Sequence, residues 1–360
     1  MAASTDQARG NGGGAGAELS RRIKMRGLDL GFGQVGIAPC RDYPEHAAEA
    51  RARGTYGLFE ANPHSFIAGC FPSRYFPQGL SAVCATLGFG RQAVPDQLRG
   101  HIGRVYLSRS YTPRPDSIAG RRVAAMADFL RELGMQVYDG PVEPPARPLA
   151  QDAGIVRWGA NNFCFTEDDG SFCVIYVWLV DTALAYDAPA EPFSCPPGCQ
   201  RCVDACPTGA LSAPRTLDPT RCALYANIGR TDDPAVTGAL GGIVHGCDLC
   251  QEACPRNRAV LREAQEGTRD PFLDALAPAF DLERMLLMTG TDDPYYRDVI
   301  HPVMYNYVRD VDILRRNAAI ALGNAGDADC EPALREALRR FPGSRTADAA
   351  RDALRKLGRA

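Results

Sequence analysis

Eight of the chain's 14 cysteines lie between Cys195 and Cys254. Cys199-x2-Cys202-x3-Cys206-Pro207 and Cys247-x2-Cys250-x3-Cys254-Pro255 repeat one pattern; Cys195 precedes the first run and Cys222 stands between the two. This is the bacterial ferredoxin spacing, in which thiolates hold cubane iron–sulfur clusters. Each cluster needs four soft thiolates, and close spacing lets one tight loop supply three. The Cys before Pro points away and, in two-cluster proteins, ligates the other cluster. The spacing therefore assigns one 4Fe–4S cluster to Cys195, Cys199, Cys202 and Cys254, and a second to Cys206, Cys222, Cys247 and Cys250.

Other thiol chemistries fit less well. A disulfide scaffold belongs to small secreted chains. Zinc takes one set of four thiolates more readily than two interleaved sets, each ending in Cys-Pro. Cys195-x3-Cys199-x2-Cys202 is also the spacing of radical S-adenosylmethionine enzymes, but here a fourth Cys and a second set follow, and too few residues remain for their large barrel. The remaining cysteines (40, 70, 84, 164, 173 and 330) are expected to be buried thiols.

The elements that must position these thiolates come next. At 360 residues, two or three domains are expected. A net charge of −3 gives no whole-chain pull toward nucleic acid. No basic-then-apolar leader and no apolar run long enough to span a bilayer is present, so no membrane contact and a cytoplasmic address are expected. Residues 1–18, with Gly-Asn-Gly-Gly-Gly, read as a flexible tail. Arg21–Gly27 suits a helix and Val35–Ala38 a strand. Ser65–Ala68 and Gly103–Leu107 are strand candidates.

Ala119–Leu133 places Val123, Met126, Ala127, Leu130 and Leu133 on one helical face and stops at Gly134. Met135–Tyr138 reads as a strand that ends at Asp139. Ligands collect at strand ends in α/β folds, which draws notice to Asp139. Asn162–Thr166 and Phe172–Val180 flank Glu167-Asp168-Asp169-Gly170 as a hairpin, the second strand apolar enough to be buried on both faces. Beyond Asn257 the chain is helical. Leu314–Asn324 has a helical period with Gly323 as its stop, and Glu331–Arg340 and Thr346–Leu357 repeat the amphipathic pattern, as paired HEAT-type helices do.

Several blocks together resemble the epoxyqueuosine reductases. They are Arg147-Pro148-Leu149-Ala150 with Ala153-Gly154, Gly159, Gly170-Ser171-Phe172, Leu179-Val180-Asp181, the eight cysteines, and Arg316-Asn317-Ala318-x-x-Ala321-Leu322-Gly323-Asn324. The resemblance spans roughly residues 139–324 in order and spacing. It implies an α+β chain with an N-terminal α/β cobalamin-binding-like domain (19–187), a ferredoxin-like double-cluster domain (188–262) and a C-terminal HEAT-like helical domain (263–360). It also implies two 4Fe–4S clusters feeding electrons to a base-off cobalamin, cofactor contacts from Arg147, Trp158 and Gly159, and proton donation by Asp139. The implied reaction reduces the epoxide of a modified tRNA nucleoside to queuosine, with a ferredoxin or flavodoxin as electron donor. Two family segments differ here. A family Gly-x-x-Gly-Lys reads Val156-Arg157-Trp158-Gly159-Ala160, and Gly-Arg-Asp-Tyr-His reads Ser108-Arg109-Ser110-Tyr111-Thr112. A related reductase acting on a small molecule in specialised metabolism, and a non-enzymatic ferredoxin-type electron carrier, stand as the alternative readings.

Overall fold

The computed structural model describes residues 14–54, 66–111, 113–191, 195–304, 308 and 310–359. Residues 1–13 of the expected tail, Ser65 and Thr112 lie outside these. Helix and sheet are mixed, as an α+β chain requires, and the backbone clusters into two compact units.

The first unit comprises Met1–Gly88, Pro113–Gly159 and Phe163–Cys195. Its strands are β1 (Gln34–Pro39), β2 (Ser81–Gly88), the short β3 (Arg157–Trp158) and β4 (Cys164–Phe165), and β5 (Cys173–Val180). Strand order in the main sheet is β1-β2-β5, and both pairings are antiparallel. Central β2 is buried on both faces, and its period of two divides it between two cores. Val83, Ala85 and Leu87 join Ile23, Met126 and Leu130 on one face, while Ala82 and Cys84 join Ala47, Leu149 and Ala150 on the other. Helices Gly14–Asp29 and Ile118–Glu132 cover the first face; Pro44–Ala52 and Ala146–Asp152 cover the second.

The Ile118–Glu132 helix follows the expected pattern. Ser117 caps it by accepting from the Gly120 N–H at 2.9 Å, and Gly134 ends it at φ 83°.

Several local expectations change. Helix Gly14–Asp29 begins inside the stretch read as tail. Ile67 and Ala68 belong to a helical turn, Phe66–Gly69. Of Met135–Tyr138, only Val137 bridges Val180, with Tyr138 N–H donating to Leu179 O at 3.0 Å; the segment is a fragment of antiparallel edge. The strand-end rule of parallel α/β sheets therefore gives no support to Asp139. The hairpin turn survives as one Thr166–Gly170 bridge, but its arms pair elsewhere, β4 with β3 and β5 with β2. Only Trp178, Leu179 and Val180 of β5 are fully buried, because β5 lies at the side of the sheet and β2 takes the centre.

The second unit comprises Phe89–Thr112, Ala160–Asn162 and Pro196–Ala360. One apolar core runs through it, from Leu98, Ile102 and Leu107 by way of Val244 to Met285, Ile300, Leu314, Leu334 and Leu354. Arg104–Leu107, expected as strand, is a helical turn that inserts Tyr106 and Leu107 into this core. Helices Val311–Ala325, Glu331–Arg340 and Arg345–Lys356 form its far end, near the expected bounds. The first runs through Gly323 and stops at Gly326 (φ 73°). Gly323 serves packing instead: a Cβ there would sit 2.6 Å from that of Ala353.

Candidate metal centre and cofactor site

Cys206 is well prepared as a ligand. Its loop turns at Gly209 (φ 63°), which aims backbone N–H groups back at the sulfur. Burial raises the thiol's pKa, but hydrogen bonds from the Leu211 N–H, the Thr208 hydroxyl and the Thr208 and Ala210 N–H groups outweigh it. The net pKa falls below the ordinary value. A sulfur ringed by donors gives up its proton more readily, and the thiolate is the form that binds iron.

Cys222 receives the Leu224 and Tyr225 N–H groups and feels the charge of Cys206, yet burial keeps its pKa raised. Cys247 is pushed up to about 12, first by burial and then by Cys222, Asp248 and Cys206, against one N–H bond from Leu249. Cys250 is raised by burial and by Cys247, Cys222, Cys206 and Cys202. Cys206 raises the pKa of Cys222, Cys247 and Cys250, and Cys202 adds to the effect on Cys250, so these thiols lie close enough to feel one another's charge. Four of them, Cys206, Cys222, Cys247 and Cys250, are the set that the spacing expects to share one cluster.

Cys199, Cys202 and Cys254 lie in the second unit, and Cys195 is the last residue of the first. Cys199 sits in an exposed Pro196–Arg201 loop beside a shallow depression of about 490 Å³ that Pro255 also lines. Cys202 is buried. Among the described residues no three His, Cys, Asp or Glu side chains close on a point that would hold a single metal ion. The eight thiols make an all-sulfur donor set, the kind a cubane takes.

Asn161 donates to the Cys250 carbonyl at 3.3 Å, and Arg215 N–H donates to Ala160 O at 2.7 Å. Sequence reading missed Asn161, since a lone Asn carries no pattern.

In the first unit, Trp158 pairs with Cys164 across β3 and β4, and Cys164 feels the charge of exposed Arg147. Gly159 N–H donates to Phe163 O at 2.8 Å. Three residues singled out from sequence, Arg147, Trp158 and Gly159, thus gather around the β3–β4 pair. The indole N–H of Trp158 is buried with no hydrogen-bond partner, and the imidazole of His46 stacks over the ring at 6.2 Å and 14°. An orphaned donor is what an acceptor-rich group such as cobalamin's amide-bearing corrin would satisfy. His46 was not singled out from sequence: one His on a short helix gives no signal.

Asp139 is exposed and follows Tyr138, whose ring borders the same core as Trp158. Asp152, a nearby carboxylate, is engaged by Tyr43 Oη at 2.8 Å and Arg41 Nε at 3.0 Å. Arg109 lies in the second unit, its guanidinium 3.6 Å from the centre of the Phe272 ring. The other cysteines are free thiols: Cys70, Cys84, Cys164 and Cys330 are buried, and Cys40 and Cys173 half-buried. Burial raises all of their pKa values, to about 12 for Cys70 and Cys164. Among the described residues no helix is long and apolar enough to cross a membrane.

Residues 195–257 match a family described as a 4Fe-4S double cluster binding domain. The epoxyqueuosine reductase of Escherichia coli is 28% identical over 332 residues, 86% of this chain and 82% of that one. That of Burkholderia pseudomallei is 31% identical over 281 residues, 67% of each chain. The chain belongs to the epoxyqueuosine reductase family. Like its relatives, this family member is an oxidoreductase. The fold agrees with solved epoxyqueuosine reductases. One from Bacillus subtilis, with a catalytic Asp loop swung out of the active site, has a TM-score of 0.75 at 20% identity and covers 94% of this chain and 90% of that one. Another, with an epoxyqueuosine-modified tRNA stem loop, has a TM-score of 0.73 at 21% identity and covers 95% and 90%.

Proposed function

We propose that this family member reduces epoxyqueuosine in tRNA to queuosine, using two 4Fe–4S clusters and cobalamin. The observation that carries this is the joining of the electron-transfer thiols, Cys206, Cys222, Cys247 and Cys250 foremost, to a chain that follows epoxyqueuosine reductases over most of its length. Bound cobalamin supplies the low-valent metal that protein side chains lack. Arg147, Trp158 and Gly159 would hold it, with the buried Trp158 N–H as one donor. Opening an epoxide C–O bond leaves an alkoxide, which needs a proton. Asp139 is assigned that proton. Its exposed loop position is the kind of placement a swinging loop requires, and the Bacillus subtilis relative carries its catalytic Asp on such a loop.

The clusters take electrons singly from a small donor of the ferredoxin or flavodoxin kind, in the cytoplasm, where reduced clusters and tRNA coexist. The second unit divides in function into a cluster-bearing part up to residue 262 and a HEAT-like helical part that helps hold tRNA. The deciding experiment is anaerobic incubation of cluster- and cobalamin-loaded protein with reductant and epoxyqueuosine-bearing tRNA, followed by nucleoside analysis. Queuosine is the expected product. No conversion by fully loaded protein would sink the reading.

One observation favours a small-molecule epoxide. Ala160 replaces the family Lys and is buried, its carbonyl bonded to Arg215. Turnover of a free epoxide, independent of salt, would select that alternative.

A further inference from the structure

Arg316 is a buried charge, 2% exposed, in the middle of helix Val311–Ala325. Such a charge is costly unless every donor is met. Its Nη1 donates to Ala226 O at 3.0 Å and Asn317 Oδ1 at 2.9 Å, its Nη2 to Thr231 O at 2.6 Å, and its Nε pairs with Asp232 at 2.7 Å. Asn317 is fully buried, and its Nδ2 donates to Asn227 O at 2.8 Å and Val244 O at 2.9 Å. Asn227 Nδ2 in turn donates to Gly246 O at 2.8 Å.

These bonds grip two segments, 226–232 and 244–246. The first continues from Cys222, which opens the Ala223–Asn227 helix. The second ends beside Cys247. Gly246 holds a left-handed φ of 72° with its Cα face against Tyr106, where a Cβ would come within 2.7 Å of the ring. Nothing in the cysteine motifs themselves fixes the separation of Cys222 from Cys247. Two side chains of a helix far downstream bracket both.

We infer that Arg316 and Asn317 are positioning residues for the cluster held by Cys206, Cys222, Cys247 and Cys250, setting its retention and potential through the ligand-bearing backbone. The inference rests on the crossed ligand assignment. An arginine suits the task because its planar fork reaches several acceptors at once, which lysine's point charge cannot. Backbone held around a cluster is a known lever on its potential.

The test compares wild type, Asn317→Ala, Arg316→Lys and Asn227→Ala as full-length, anaerobically reconstituted proteins. Iron and sulfide content, an EPR-monitored redox titration and far-UV circular dichroism are measured on each. Cys206→Ala and Cys254→Ala, made in parallel, identify which signal belongs to which cluster. The expected result is that Asn317→Ala shifts or removes only the signal that Cys206→Ala removes, with iron falling from about eight to about four per chain if that cluster is lost. Arg316→Lys shifts the same signal. Should Asn317→Ala fail to fold, Asn227→Ala, which removes only the bond to Gly246, carries the test with the same expectation. Equal loss of both signals, or both unchanged in a folded variant, overturns the inference. If Cys206→Ala removed the same signal as Cys199→Ala, a further variant made alongside these, the crossed assignment itself would fail, a separate outcome.

Discussion

The hydroxyl of Thr346 donates to the carboxylate of Asp312 at 2.5 Å, tying the start of helix Arg345–Lys356 to the first turn of helix Val311–Ala325. Asp312 also accepts from the Arg345 and Thr346 N–H groups at 3.2 and 3.4 Å. Burial raises the Asp312 pKa, but these bonds and Arg315 pull it below the usual carboxylate range. A depressed folded pKa gives stability that is present above the ordinary value, about 3.9, and lost as pH falls through the folded one. Thr346→Val should cost about 1–3 kcal/mol at neutral pH. The gap between variant and wild type should stay flat on acidification and narrow only below about pH 4. Thermal melts across pH check this; cluster loss in acid is common to both proteins and drops out of the difference. A gap that narrows already near neutrality would mean that another group titrates.

The proposed crossed ligation predicts a crossed phenotype. Cys206→Ala should damage the cluster held mainly by the second motif, although Cys206 stands in the first. Cys254→Ala should damage the one held mainly by the first. EPR and iron analysis of the two variants read this directly. Damage confined to each residue's own motif would replace the assignment.

The double-cluster segment was legible because cysteine spacing is the chemistry, and residues 195–257 match a double-cluster family; how the eight thiols are shared between the clusters rests on the ferredoxin pattern alone. The long C-terminal helices were legible from periodicity. Short apolar pieces were not. Val105-Tyr106-Leu107 looks like strand in isolation, and becomes a helical turn because Tyr106 and Leu107 must enter a core completed by residues near 285–304. Central β2 drew no notice because Ser81–Gly88 is small-residue sequence whose burial comes from neighbours on both faces. The Arg316–Asn317 block was visible as a motif, but its partners lie some seventy to ninety residues upstream, beyond any local pattern.

Asp139→Asn should leave both clusters and cobalamin bound and lower turnover about 10²-fold or more, the scale of a lost general acid. Glu143→Gln is the control, since Glu143 is also exposed nearby. Normal turnover in the Asp139 variant with an inactive Glu143 variant would move the role to Glu143. Loss of cobalamin from the Asp139 variant would make it a pocket residue instead.

Gly323→Val should cost about 1–3 kcal/mol by overpacking, since even a Cβ at that position would overlap Ala353. Gly326→Ala should cost about 1 kcal/mol for a different reason, the left-handed backbone that ends the helix. Denaturant unfolding separates them: only the first is relieved by a compensating Ala353→Gly.

The interleaved assignment of segments to the two units has a consequence during synthesis. The chain passes from one unit to the other after Gly88, Thr112, Gly159, Asn162 and Cys195. Leu98, Ile102 and Leu107 leave the ribosome long before Met285, Ile300 and Leu314, with which they share a core. All three strands of the first unit's main sheet are out once Val180 has emerged. The nascent protein thus closes its sheet early and carries an uncovered apolar segment until the last helices arrive. That interval is open to aggregation or to a chaperone, and a stop codon between Val180 and Met285 would make it permanent.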